Sequence, residues 1–570
     1  MTSGAFELKQ ATPAIVSQDA VRRLPRLALY LFCMAYVIPG FWFREAWKSV
    51  DLTSLGFMLA LAQGASDWWH PTLLGQTPEL DALLPYWLGA WAIQGLTPWL
   101  PAAQAVRVPF MGLAFLSLSA TWYAVYALVK SQGAKPVAFA FGGEANHKDY
   151  ARALADAALL ALISSLGLAQ PLHEVTPMLA QFTFISVCFA ALATLPYHRR
   201  WSFACWGLGL AGLSCSGAPN LSWLLGVLAF IVSLRDAELD HRRQSAFILL
   251  AVTLIVAALT PQHMWHWRLA WPPMTLAHWH GQLRLWLWFT WPVWPLTLWT
   301  LWRWRHHWLE SPQSRHLLIP LSMGTLCALA ALVSVPPERV LLLSLPFFSA
   351  LAALALPTLQ RSVSALIDWF TLIFFSGCAF IIWVVWLAMQ TGWPPQPAAN
   401  VARLLPGFVP SFGWSAFGVA LLATLTWMGL VKWRTGQHRS AIWKSLVLPA
   451  AGAALCWLLL MSLWLPLLDY ARSYLPMVLE VEKNVTTHVV CTKDLSLAHI
   501  TAFKIHSTLE VQRFAPSSAA NCEWVITESD HKSQSTAPAG LQIEGYEWIK
   551  TIPRPSDDNQ EMDLFQKIKP

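Results

Sequence analysis

The chain is laid out as apolar stretches of roughly spanning length, ~20 residues each, separated by polar segments that mostly do no more than turn it. The first runs from Leu27 to Phe43, after a polar segment 1–25 that ends in Arg22 and Arg23, with Arg26 at the boundary. No small-residue cleavage site follows, so the pattern predicts an uncleaved first helix rather than a signal peptide. Twelve more stretches lie near 104–129, 152–170, 175–195, 202–216, 219–234, 245–261, 284–302, 316–335, 340–358, 367–389, 411–431 and 441–465. A shorter one, 83–97, is punctuated by Pro85, Gly89 and Gly95 and is placed at the membrane interface. The pattern therefore predicts a polytopic α-helical membrane protein of about 13 spans.

Basic residues give this layout a direction. Lys130, Lys135, Lys148 and Arg152 fall in one loop, and Arg199 with Arg200 in the second loop after it. Arg235, Arg242 and Arg243 follow, then Arg303, Arg305 and Arg315, then Arg361, then Lys432, Arg434, Arg439 and Lys444. Every second loop is basic, as expected when the N-terminus is cytoplasmic. With an odd number of spans, the 41–91 loop and everything after Leu465 lie outside.

From about residue 470 the pattern changes. VTTHVVCTKD, LEVQRF, CEWVITES and YEWIKTI read as short strands, with LSLAHITAFKIHS as a helix between two of them. The expected organisation is a cytoplasmic segment 1–25, a transmembrane domain 26–469 with a periplasmic loop 44–103, and a small α/β periplasmic domain 470–570. The terminus after Pro553 is polar and is expected to be loose.

Composition agrees with a membrane class. The 570 residues are 56% hydrophobic and only 12% charged, where soluble domains run near a quarter charged. Thirty-five tryptophans suit a membrane interface, because the indole places its apolar body inward and its N–H toward water. The net charge of +7 is then topological and no nucleic-acid footprint. Seven cysteines lie singly in apolar runs, without a C-x-x-C pair, and read as small buried hydrophobes. The other two, Cys491 and Cys522, stand in strand-like runs of the tail. In an oxidising compartment they form a disulfide if neighbouring strands bring them together, and otherwise remain two core thiols.

Candidate chemistry gathers in the 41–91 loop, which is long for its setting and carries Arg44, Glu45, Lys48, Asp51, Asp67, Glu79 and Asp81. Asp51 precedes LTSLGFMLALAQ, an amphipathic stretch expected to lie flat on the membrane surface. It reads equally as a helix N-cap or as a general base for an acceptor hydroxyl. Glu79 and Asp81 offer a second carboxylate, to assist a base or hold a divalent metal, or are simply solvated acids. His263, His266, His278 and His280 share one outer loop; His263 and His266 have a metal-ligand spacing but also suit an interfacial belt. Arg44, Arg107, Arg268, Arg284 and Arg339 lie on the outer side against the topological trend. Each is a candidate to grip a lipid phosphate through paired N–H groups.

The order DLTSLGFML, SDWWHPTLLGQTPELDALLPYWLGA and AVRVPFMGL resembles the first periplasmic loop of bacterial lipid-linked sugar transferases of the GT-C superfold. The nearest groups are the aminoarabinose lipid A transferases and the protein O-mannosyltransferases. Asp51 falls on that family's catalytic acid, and Asp67, Trp68, Pro71 and Gly75 on its middle segment. Leu84, Tyr86 and Trp87 fall on the third segment, and Arg107 and Pro109 on the last. Further on, PPERVLLLSLPFF matches through Arg339 and Pro346, and LPLLDYARSYLP resembles the junction into the periplasmic domain. Leu52 stands where the family often has a second acid, Asp81-Ala82-Leu83 replaces a Lys-Pro-Pro, and Ser216-Gly217 replaces a Lys-Gly.

The resemblance implies an inverting hexosyl- or pentosyltransferase of the inner membrane. It would move a sugar from a polyprenyl-phosphate donor, bound among membrane lipids, to a glycolipid such as lipid A or to a protein. A divalent metal could assist. A transporter or flippase of lipid-linked precursors would need charges inside the spans, and these interiors are nearly charge-free. A catalytically inactive relative is the other alternative, because the phosphate-binding lysine is missing.

Overall fold

The computed structural model describes residues 12–266, 271–310, 314–436, 441–514, 522–529, 543–555 and 557–568. Each apolar stretch read from the sequence falls on helix, beginning with α1 (Arg26–Phe41). The stretch 284–302 is divided into Leu276–Phe289 and Val293–Arg303 at Pro292, which has no N–H to continue a helical ladder. Among the described residues, seven helices are long and apolar enough to cross a membrane, or eight if Lys444–Leu460 and Leu465–Arg472, bent by 71°, form one span. That is fewer than the thirteen expected. The difference lies in shorter helices: α1 has 16 residues and Pro219–Arg235 has 17, about 24–26 Å at 1.5 Å per residue. A hydrocarbon core is ~30 Å thick. The protein is a membrane protein built on a helical bundle.

The loops sort to two ends of that bundle. At one end the N-terminal segment is stitched to the basic loops: Val137 N–H donates to the Ala14 carbonyl (2.9 Å) and Ile442 N–H to that of Ala20 (2.9 Å). Arg23 pairs with Asp149 at 2.9 Å, and Arg315 with Asp236 at 3.3 Å. At the other end lie α2 (Ser49–Ala62), α3 (Leu84–Leu96) and the C-terminal domain. Contrary to expectation, α2 does not lie flat with one face in water. Leu52, Leu55, Phe57, Met58, Ala60 and Leu61 are all buried, because its apolar residues run right round the helix and need cover on every side. Gly89 of α3 lets Met58 approach, and Gly56 admits Thr501 of the helix Leu497–His506; a Cβ at either glycine would collide.

The C-terminal sheet comprises β1 (Val489–Lys493), β2 (Glu510–Arg513), β3 (Trp524–Ser529), β4 (Tyr546–Arg554) and β5 (Asp557–Lys567), in the order β2-β1-β3-β5-β4. β1 runs parallel to β2 and β3, and parallel neighbours need a crossover, which Leu497–His506 provides between β1 and β2. β5 corrects the expectation of a loose terminus, since it pairs antiparallel with both β3 and β4. Met562, Leu564 and Phe565 are buried, and so is Asp563, which accepts from Trp548 Nε1 and Thr551 Oγ1. Both partners reach Oδ1 and so satisfy one oxygen of the buried carboxylate in a stretch that reads as polar. Cys491 of β1 and Cys522, just ahead of β3, form a disulfide with Cα atoms 5.8 Å apart.

Candidate active site

The turn between α1 and α2 is held from several directions. Asp469 Oδ1 accepts from Glu45 N–H (3.1 Å) and Trp47 Nε1 (2.7 Å). Arg554, at the end of β4, donates to the Trp47 carbonyl (3.0 Å) and to that of Arg472, and its guanidinium lies 4.3 Å over the Tyr474 ring. The C-terminal domain thereby fixes the first loop. Arg44 turns inward and is only 2% exposed. It donates to the carbonyls of Gly40 (3.1 Å) and His173 (2.7 Å), and pairs with Asp51 Oδ2 at 3.3 Å.

Asp51 is equally buried. Its N-cap reading is corrected by the structure: Lys48 occupies the cap position, and Asp51 Oδ1 accepts from Val175 N–H (2.9 Å), far away in sequence. The Arg44–Asp51 pair therefore clamps the segment His173–Val175 on both sides, through the carbonyl of 173 and the N–H of 175. Between those two points stands Glu174. Burial pushes its carboxyl above the ordinary carboxylate range, with Lys48 opposing. Lys48 Nζ (3.3 Å) and Gln170 Nε2 (3.0 Å) both approach Oε1. His173 itself is stacked 4.7 Å from Trp457, and burial pushes it down to about 4, so it is neutral at physiological pH.

Glu174 lines a cavity of about 250 Å³ together with Trp47, Lys48, Thr176, Arg339 and Arg554. Arg339, in its lining, pairs with Glu79 at 3.4 Å. A smaller recess of about 80 Å³ shares Ser49 and Val50 with the first and extends to Glu79 and Tyr86. Three cations, Lys48, Arg339 and Arg554, against the buried Glu174 and the half-buried Glu338 leave the concavity cationic, able to hold an anionic group and accept a proton beside it.

The other expected residues are distributed differently. Arg107 is 5% exposed and donates to the Phe41 carbonyl at 2.9 Å. Like Arg44, it does not line the cavity. Arg284 is exposed on Leu276–Phe289, and Arg268 lies outside the described residues. Asp81 meets His266 Nδ1 at 3.3 Å, while the His263 ring lies 4.7 Å from that of His70. The two outer loops thus touch along a seam beside the cavity, and none of these four residues lines it. No group of three or more His, Cys, Asp or Glu side chains among the described residues could hold a metal ion.

Sequence reasoning passed over Glu174 and Arg554. The signal for the first was an acid in QPLHEVTP, between two apolar stretches on the outer side. Arg554 had no local signal, because its role depends on how the tail docks.

The architecture is a helical membrane bundle closed at one end by a small α/β domain, over a cationic cavity with a buried acid. No family model matches the sequence, and no curated protein does. Among solved structures, the fold is that of ArnT from Cupriavidus metallidurans. Its complex with undecaprenyl phosphate matches with a TM-score of 0.59 and 13% identity, covering 95% of this chain and 97% of that one. The apo state of the same protein gives 0.57 and 14%, covering 95% and 98%.

Proposed function

We propose that this protein is an inverting glycosyltransferase of the bacterial inner membrane. It moves a sugar from a polyprenyl-phosphate donor to an acceptor hydroxyl on the periplasmic side, the N-terminus being cytoplasmic and the C-terminal domain periplasmic. The observation that carries this reading is the clamped Glu174 beside Lys48 and Arg339 in the cavity under the C-terminal domain. The shared fold supports it, since ArnT has been crystallised with undecaprenyl phosphate. So does the sequence resemblance to the aminoarabinose lipid A transferases and protein O-mannosyltransferases. The acceptor is accordingly a glycolipid such as lipid A, or a protein.

In this mechanism Lys48 and Arg339 hold the donor phosphate, and the acceptor hydroxyl lies against Glu174. The hydroxyl oxygen attacks the anomeric carbon and the bond from that carbon to the phosphate oxygen breaks. The electron pair leaves with the polyprenyl phosphate, where the two cations stabilise it. The hydroxyl proton passes to Glu174, whose raised pKa suits a general base. Asp51 is then a positioning residue: with Arg44 it fixes the backbone that presents Glu174. Purified protein incubated with labelled polyprenyl-phosphate sugars and glycolipid or protein acceptors should yield labelled acceptor. A folded Glu174→Gln protein should not. No product from any donor would refute the transferase reading and favour an inactive relative or a flippase.

A further inference from the structure

A second concavity runs along α1 from its N-terminal end and shares no lining residue with the cavity above. It is a groove of about 790 Å³ between α1 and the helices Arg107–Val129 and His147–Ser164. Leu29, Cys33, Met34 and Ile38 line it from α1, with Phe115 and Leu118 facing them. At one end this apolar lining gives way to Arg23, Arg26, Arg152 and Asp156, with Tyr30, Trp122 and Tyr123 nearby. Asp156 is occupied by Trp122 Nε1, which donates to it at 2.8 Å. Asp149, just outside, pairs with Arg23 at 2.9 Å and Arg152 at 3.9 Å. Arg26 is exposed, forms no ion pair within 4 Å with any described residue, and faces Asp156 only at longer range. The basic end therefore carries one cation more than its acids neutralise.

The groove has the dimensions of one leaflet. From Arg26 to Ile38, twelve residues of helix at 1.5 Å each give ~18 Å, against ~15 Å for half of a ~30 Å hydrocarbon core. Arginines and aromatic rings gathered at one end, with apolar walls below, match a phosphate at the interface and an acyl chain beneath it. A zwitterionic head would not use the spare cation. A polyprenyl chain is much longer than the groove and would leave most of its length outside.

We propose that this groove binds an anionic diacyl phospholipid, its phosphate on Arg26 and Arg152 and one acyl chain against Leu29, Met34 and Leu118. Because the N-terminal arginines mark the cytoplasmic side in the expected topology, this lipid belongs to the leaflet opposite the cavity. Native mass spectrometry of the full-length, delipidated protein tests the assignment, with phosphatidylglycerol, phosphatidylethanolamine and undecaprenyl phosphate supplied separately. Wild type should retain phosphatidylglycerol in preference to the other two. Arg26→Gln, at an exposed position with no ion pair to break, should reduce that retention about fivefold, the worth of one basic residue near an anionic head. Met34→Trp, which fills the groove without touching its charges, should reduce it as well. Both variants should melt with wild type. Equal retention of phosphatidylglycerol and phosphatidylethanolamine, preference for undecaprenyl phosphate, or unchanged retention in both variants would overturn the proposal.

Discussion

Replacing Asp51 by Asn separates a residue that performs chemistry from one that holds the chemistry in place. The substitution keeps the volume, and an amide oxygen can still accept from Val175 N–H. What disappears is the counter-charge of Arg44, a guanidinium only 2% exposed. Breaking a buried ion pair by removing one partner costs about 3–5 kcal/mol. Arg44 keeps the Gly40 and His173 carbonyls, so the cost should fall near the lower end, about 3 kcal/mol. Glu174→Gln behaves oppositely. Its ion pair is with Lys48, whose side chain is 44% exposed, so stability should change by no more than about 1 kcal/mol. Transfer should fall by roughly 10²–10⁴ with the loss of a general base. Thermal unfolding of the solubilised protein and initial rates of sugar transfer, measured on the same preparations, distinguish the two. Arg44→Met combined with Asp51→Leu extends the test. Apolar replacement of a buried pair is often neutral for stability, so melting should recover while transfer stays low, because His173–Val175 has lost its clamp. If Asp51→Asn melts with wild type and is inactive while Glu174→Gln turns over normally, Asp51 is itself the base and the positioning argument is wrong.

Arg339→Ala should raise the KM for the polyprenyl-phosphate donor more than it lowers the melting temperature; an unchanged KM would assign the phosphate grip to Lys48 or Arg554. The pH profile of transfer should rise through the pKa of Glu174, which must be deprotonated to act. Because burial raises that pKa, the acid limb should lie above the usual carboxylate range and vanish in Glu174→Gln. A reporter fused after Pro570 should read periplasmic and one inserted near Arg200 cytoplasmic; the same side for both would break the alternation. Alkylation of the non-reduced, denatured protein should leave Cys491 and Cys522 unlabelled. Their removal should cost the C-terminal domain roughly 3–4 kcal/mol, as the chain-entropy model gives for a loop of about thirty residues.

The helices were legible because length and apolarity are written locally: α1 and Arg361–Thr391 begin close to the arginines that precede their apolar runs. Strands β1 to β4 and the helix Leu497–His506 were legible for the same reason. β5 was not, since the partners that make Asp563 tolerable inside a sheet, Trp548 and Thr551, come from another strand. The site divides in the same way. Asp51 and Arg339 stand in motif-like surroundings that a sequence displays, whereas Glu174 acquires its environment from Arg44 and Asp51, more than a hundred residues upstream. Arg44 and Arg107 were expected to reach a ligand. Both are buried and brace carbonyls of Gly40 and Phe41 near the end of α1, outside the cavity lining, and no one-dimensional pattern tells a cavity-lining arginine from one that braces backbone.

The docking of Arg554 on the Trp47 carbonyl bears on how the protein is made. Residues 47 and 554 line the same cavity, so the first loop to leave the ribosome waits for nearly the last strand before the chamber has its wall. A nascent chain halted anywhere before β4 would be inserted in the bilayer yet incomplete around Lys48 and Glu174. On the transferase reading proposed above, transfer should require the docked C-terminal sheet, and a chain ending before β4 should be inserted yet inactive.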